Sequence, residues 1–400
     1  VNRIKVFGNY TTQENVIRNA MLVDEGDPFN EILLNNSINE LKYKNIFNKV
    51  SFKLENTSDN LKKNIIINVQ EKPTGEISAG AGTGTSGTQL SFGIAEKNYG
   101  GAGVRLDTNF HISDTFIRGK FSINNPNYNN SDKSLNTTIE STNIDQMSNF
   151  GYETTRTGLS LGTSYEQFKD IYFSPSFSNY YENLKTSSTA STSKKSQKGS
   201  YFDSEFNYRL SLNKLNQNFQ PTDGYKTSFY QNVPLYSKDY ALDTALEYSK
   251  YFSPSDSVVF NFSIFARGIA SLNGKDVRVS KRVFLPNKKL RGFKSGRIGP
   301  LDSGEYIGGN YGSALNFVSS FPNLLPELQN VDFSIFVDAG NVWGVDYNES
   351  LDKSKIRSST GVAINWFTPI GPLNFSLAVP ISKADTDKTE TFRFDIGTTF

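Results

Sequence analysis

The last four-fifths of the chain alternates. TFRFDIGTTF (391–400) sets Phe392, Phe394, Ile396 and Phe400 against Arg393, Asp395, Gly397 and Thr399. VRLDTNFHI (104–112) puts Val104, Leu106, Phe110 and Ile112 in phase, and VVFNFSIFARGIA and VDFSIFVDAG behave similarly. A period of two with one apolar and one polar face marks strands that meet apolar surroundings on one side only. Such stretches recur from Gly75 to Phe400, separated by turns rich in Asn, Asp, Gly and Ser. Helical periodicity stops after Pro73.

Aromatics make up 13% of the chain, with 31 Phe, 20 Tyr and 31 Gly but no Cys. That suits a large all-β protein, and abundant Phe and Tyr suit the interfacial girdles of a membrane barrel. A soluble β-sandwich or adhesin fits the composition equally well. A mean hydropathy of −0.47 would ordinarily indicate a soluble protein, yet it carries no such weight for a barrel, where only alternate residues face lipid. No apolar run reaches the length of about 18 residues that a transmembrane helix needs. Val1 stands first with no apolar leader ahead of it, which reads as a processed or truncated chain.

The connectors sharpen the choice. FSPSDS (252–257) and PTDG (221–224) read as tight turns, whereas LKTSSTASTSKKSQKGS (184–200) reads as a long exposed loop. Short turns at one rim and long loops at the other are the pattern of an outer-membrane barrel. At roughly 20 residues per strand and connector, residues 74–400 would form about 16 antiparallel strands, within the even-numbered range of such barrels.

Residues 1–73 read differently. RIKVFG (3–8) is a short strand. TTQE (11–14) has capping-box spacing, Thr11 to Glu14, ahead of a helix through about Leu22. Asp27 is a candidate N-cap with Pro28 at the first helical position, and Leu34, Ile38 and Leu41 then share one helical face. KVSFKLEN (49–56) and KNIIINVQE (63–71) are strands. The order strand, helix, helix, strand, strand is a small α+β module, expected to bind or scaffold.

Chemistry is sparse. The balance of 42 basic and 40 acidic residues gives no argument for nucleic acid as a partner. Absence of Cys removes disulfides and thiolate metal sites, and one histidine, His111, argues against zinc or a Ser-His-Asp triad. GTGTSG (82–87) matches a dinucleotide fingerprint, but TQLSFGIAE continues as a strand instead of opening a helix. Asp385 and Asp387 lie in the turn KADTDKTE and read as a solvated pair. The expectation is a protein that is no enzyme and holds no metal or cofactor.

GEISAGAGTG (75–84) is the first alternating stretch, and Gly75, Gly80, Gly82 and Gly84 leave it few side chains. A strand of this kind pairs weakly and specifies its register poorly. If the barrel closes, this strand pairs with the last one. Two readings stand: a weak seam that opens sideways, or glycines that relieve crowding at a bend.

Several motifs then coincide. LRGF (Leu290, Arg291, Gly292, Phe293), followed by SGRIGP, resembles the VRGF loop of the barrel family that assembles and translocates membrane proteins. FVDAGNVW (336–343) and IRSSTGVAINWFTPIGPLNFSLAVP (356–380) resemble late barrel strands of its bacterial outer-membrane assembly members, FQPTDGYKTSF (219–229) resembles a family turn, and the chain ends in an aromatic, Phe400. The N-terminal module resembles the POTRA (polypeptide-transport-associated) domain that adjoins the barrel. Full-length members carry several such domains, so this chain resembles one keeping only the last.

The resemblance implies a 1–73 POTRA domain in the periplasm and a 74–400 transmembrane barrel in the bacterial outer membrane, with a luminal loop around 288–300. It implies an insertase that folds client barrels without ATP, by pairing client strands at a seam between the first strand (Gly75, Gly80, Gly82, Gly84) and the last (Phe392, Phe394, Ile396, Gly397, Phe400). Unfolded barrel proteins, accessory lipoproteins at the POTRA domain and the lipid bilayer would be its partners. Arg291 matches the family's loop arginine and Asp338 one acidic partner. A second family acid falls on Asn316, which could still accept a hydrogen bond from arginine. The alternation places Asp338 with Ser334 and Phe336, opposite Phe333, Ile335 and Val337. A two-partner secretion pore and a translocation-and-assembly barrel for autotransporters are the alternatives.

Overall fold

The computed structural model describes residues 1–59, 61–322, 324, 330–351, 354–368 and 371–397. The N-terminal unit is β1 (Ile4–Phe7), α1 (Glu14–Arg18), α2 (Glu31–Tyr43), β2 (Phe47–Asn56) and β3 (Lys63–Glu71). Its sheet runs β1-β3-β2, with β1 parallel to β3 and β2 antiparallel to it. Ile65, Ile67 and Val69 alternate into a core with Ile17, Leu34, Ile38 and Leu41.

Two helix starts differ from the sequence reading. Glu14 is the first residue of α1 and Gln13 its cap, so Thr11 cannot close a capping box with Glu14. Its backbone N–H, with that of Thr12, instead donates to the Glu71 carboxylate. The N-cap of α2 is Asn30, whose side chain accepts from the Leu33 N–H at 3.1 Å, while Asp27 and Pro28 stay in the preceding turn.

Sixteen antiparallel strands form the closed barrel. The first eight are β4 (Gly75–Gly84), β5 (Gly87–Tyr99), β6 (Val104–Ser113), β7 (Phe116–Asn125), β8 (Ser134–Gln146), β9 (Tyr152–Phe168), β10 (Ile171–Thr186) and β11 (Gly199–Asn213). Next come β12 (Gly224–Tyr236), β13 (Ala241–Ser255) and β14 (Val258–Ser271); a small hairpin, β15 (Leu301–Asp302) and β16 (Glu305–Tyr306), stands apart from the wall. The wall resumes with β17 (Tyr311–Phe321), β18 (Val331–Trp343), β19 (Arg357–Thr368), β20 (Gly371–Ser382) and β21 (Phe392–Gly397), which returns to β4.

Alternation assigns the two faces. Leu90, Phe92 and Ile94 of β5 and Phe110 and Ile112 of β6 point outward and stay exposed. An apolar band of that extent is stable only against lipid. No helix among the described residues is long and apolar enough to cross a membrane, so the strands do the crossing. The segment 184–200 is not the exposed loop its composition suggests: β10 runs to Thr186, a short helix covers Thr192–Ser196, and Lys194 is buried.

The N-terminal unit sits on the β5–β6 turn. The Gln13 N–H donates to the Gly101 carbonyl at 2.8 Å, and the Asn98 amide donates to Thr12 Oγ1 at 2.9 Å. Gly101 has φ +71°, and a Cβ there would lie 2.0 Å from the Thr11 carbonyl oxygen, so only glycine fits the contact.

Candidate functional site: a luminal latch and a glycine-rich seam

The connection between β14 and β17, residues 272–310, folds back into the lumen. Leu290 and Phe293 are buried and pack with Leu285, Ile298, Ala314 and Val342. Those apolar contacts hold the loop tip against the inner wall, and Gly292 permits the turn. Its φ is +86°, and an added Cβ would press within 3.3 Å of the Ser359 and Ala378 side chains.

Between them Arg291 reaches β18. Its Nε and Nη2 donate to Asp338 Oδ2 and Oδ1, each at 2.7 Å, and its backbone N–H donates to Oδ2 at 3.0 Å. The guanidinium lies 3.5 Å from the centre of the Phe336 ring. Ser359 Oγ of β19 donates to the Arg291 carbonyl at 2.5 Å. A planar fork paired with both carboxylate oxygens and stacked on an aromatic face is a geometry that lysine cannot reproduce. Asp338 is fully buried on the face that carries Phe336 and Ser334, while Ile335 and Val337 face outward.

Asn316 enters this site differently from the sequence expectation. It stands opposite Asp338 in the β17–β18 register. Its amide donates to Asp338 Oδ1 at 2.8 Å and to the Lys289 carbonyl at 2.9 Å, so it serves the carboxylate as a donor instead of accepting from Arg291. The Asp338 carboxylate therefore receives four hydrogen bonds, three from Arg291 and one from Asn316.

The seam lies on the other side of the loop. Described pairing between β21 and β4 comprises Asp395 with Gly84, Ile396 with Thr83 and Gly397 with Gly82. Thr85 adds side-chain and backbone bonds to Phe394. Gly75 and Gly80 pair with Glu96 and Ser91 of β5, and no described residue of β21 reaches them. Phe392 and Phe394 pair with Leu377 and Phe375 of β20 and stack on each other. Phe400 lies outside the described residues. A cavity of about 550 Å³ separates seam from loop, lined among others by Gly82, Thr83, Arg291, Asn374, Arg393 and Asp395.

Two further ion pairs tie the loops over the barrel, and nothing in the local sequence singles them out. Asp387 is buried and takes a two-pronged bond from Arg357, at 3.0 Å to each oxygen. It is therefore no solvated partner of the exposed Asp385. Lys194 meets Glu305 at 2.5 Å and the Phe150 carbonyl at 2.7 Å, joining the β10–β11 connection to the β15–β16 hairpin.

Residues 74–400 match the Omp85 superfamily domain, and residues 1–72 match the POTRA model, described as a surface antigen variable number repeat. The outer membrane protein assembly factor BamA of Neisseria meningitidis serogroup B is 25% identical over 100% of the chain and 56% of its own length. Its namesake in Neorickettsia risticii is 26% identical over 100% of the chain and 55% of its own length. The chain thus spans about half the length of these curated relatives. Among solved structures, BamA from Haemophilus ducreyi lacking POTRA domains 1–3 superposes with a TM-score of 0.85 at 23% identity, covering 100% of this chain and 84% of that one. CdiB from Acinetobacter baumannii gives 0.62 at 12% identity over 99% and 74%.

Proposed function

The chain belongs to the Omp85 superfamily, and from that premise we infer that it folds and inserts β-barrel proteins into a bacterial outer membrane. Insertion proceeds by client strands pairing at the seam between β4 and β21, without ATP. The observation that carries this reading is the seam: β4, six of whose ten residues are glycine or alanine, closes the barrel against β21, with Gly82, Thr83 and Gly84 in the described register. A strand with so few side chains pairs weakly with its neighbour; where the wall parts it offers a free strand edge, and a free edge is a template for another strand. The free energy then comes from client burial and strand pairing, and no catalytic group is needed. The POTRA domain lies in the periplasm, at the barrel rim, where it would receive unfolded clients and accessory lipoproteins.

A secretion pore is the alternative. It requires a lumen wide enough for a polypeptide, whereas here residues 272–310 occupy the lumen and are fixed to the wall at Asp338. The test is reconstitution in liposomes with an unfolded client barrel. The insertase reading expects protease-resistant client to accumulate without nucleotide. Failure to accelerate client folding over empty liposomes, together with a steady large conductance, would favour the pore.

A further inference from the structure

The loop that carries Arg291 also carries Arg278, thirteen residues earlier, and the two arginines bind different parts of the wall. Arg278 is 1% exposed, yet carries a full positive charge into the barrel. Its Nη1 donates to Glu182 Oε2 of β10 at 2.7 Å. Its Nη2 donates to both oxygens of Asp203 of β11 at 3.1 Å and to Asp239 Oδ1 at 2.6 Å. Its Nε donates to Asp239 Oδ2 at 3.0 Å, and its plane stacks 3.7 Å above the Tyr201 ring. Lys281 of the same loop adds contacts of 3.4 Å to Asp203 and 3.5 Å to Glu205.

The acids are themselves held in place. Ser237 Oγ donates to Asp203 at 2.5 Å and Thr154 Oγ1 to Glu182 at 2.8 Å. Three buried carboxylates gathered this closely repel one another unless a cation sits among them. They form a socket for cations, and the cations that fill it, Arg278 with Lys281 at its edge, both belong to the loop. Along the closed wall β18, which holds Asp338, stands six places from β10 and five from β11.

We propose that Arg278 is a positioning residue that anchors the near end of the loop on the β10–β11 wall, so that the loop is a strap held at two independent points across the lumen. Releasing Arg291 from Asp338 then frees the tip and the seam-side cavity without withdrawing the whole loop. The Arg278 anchor keeps the lumen occupied while the tip moves.

The chain has no cysteine, so single reporters can be placed at either anchor. Val279→Cys reports on the Arg278 end and Ile298→Cys on the Arg291 end; both positions are buried. Each is made in the full chain in outer membranes and labelled with a membrane-impermeant maleimide, with folding verified by heat-modifiable electrophoretic mobility. Arg278→Ala is expected to raise labelling at the Val279→Cys site about tenfold while the Ile298→Cys site changes little, and Arg291→Ala to do the reverse, as separate local openings. Arg278→Lys keeps the charge without the fork, and is expected to fall between native and Ala. Should Arg278→Ala not fold, Arg278→Lys decides alone: intermediate labelling confined to the Val279→Cys site supports the strap. Native-like labelling at that site, or both sites opening together in either variant, overturns it.

Discussion

Asn316 faces Asp338 across the β17–β18 ladder and gives its amide to the same carboxylate oxygen that receives Arg291 Nη2. The neutral residue is thus the third wall of the latch, saturating a buried anion and also holding the Lys289 carbonyl. Asn316→Asp would replace a donor with a second carboxylate against Asp338. The expected cost is about 1–3 kcal/mol from the lost bonds alone, seen as a lower midpoint in thermal or denaturant unfolding of the folded barrel. A native midpoint would remove Asn316 from the latch.

Arg291→Ala strands the buried Asp338 charge, and breaking such a pair from one side costs about 3–5 kcal/mol. Arg291→Lys restores charge but neither the two-pronged bond nor the stack on Phe336, so it should recover less than half of the loss. Unfolding midpoints of the two variants, measured side by side, check the order; equal midpoints for Lys and native would mean that charge alone sets the latch.

Docking of the POTRA domain depends on Gly101. In Gly101→Ala the new Cβ meets the Thr11 carbonyl, so the turn and the domain must separate. Protease cleavage within the connection 72–74 should quicken several-fold while barrel mobility on electrophoresis is unchanged. Unaltered cleavage would show that the docking contact does not hold the domain.

Acid should loosen the segment beside that joint, where Glu71 of β3 holds the Thr11 and Thr12 amides within the POTRA domain. Burial raises the Glu71 carboxyl, but the bonds from the Thr12 side chain and the Thr12, Thr11 and Tyr10 backbone outweigh it and hold it below its ordinary value of 4.5. A depressed carboxyl stabilises the fold above its unfolded value, and that contribution is lost as pH falls through the lower folded value. Hydrogen exchange at the Thr11 and Thr12 amides should therefore accelerate beyond the intrinsic rate as pH falls below the ordinary carboxylate value and through the lower folded one. Glu71→Gln should show faster exchange at neutral pH and no such acid step.

The barrel was legible because alternation is a local property: Phe110, Ile112, Ile335 and Val337 announce their lipid-facing side from spacing alone. Arg291 and Asp338 were legible through resemblance, since 47 residues separate them and no periodicity joins them. Where the sequence reading failed, long-range contacts decided. Thr11 was drawn to Glu71 of β3 instead of capping α1, and Asp387 was claimed by Arg357 from a neighbouring strand. Lys194 was buried by a hairpin more than a hundred residues away. Arg278 sits in an unremarkable loop stretch, and its three acids come from β10, β11 and the β12–β13 turn, which the folded wall sets side by side while Arg278 reaches them from a loop beyond β14.

The seam carries the functional account, and the absence of native cysteine makes it directly testable. Thr83 and Ile396 are register partners across it. In Thr83→Cys with Ile396→Cys, oxidation should lock β4 to β21. The measurement is the rate of client insertion into liposomes by the locked protein, with the fraction locked read from the same sample and the reduced sample as reference. The account predicts that insertion falls to the level of empty liposomes when locking is complete and returns on reduction, with the barrel folded throughout. Undiminished insertion by fully locked protein would contradict it.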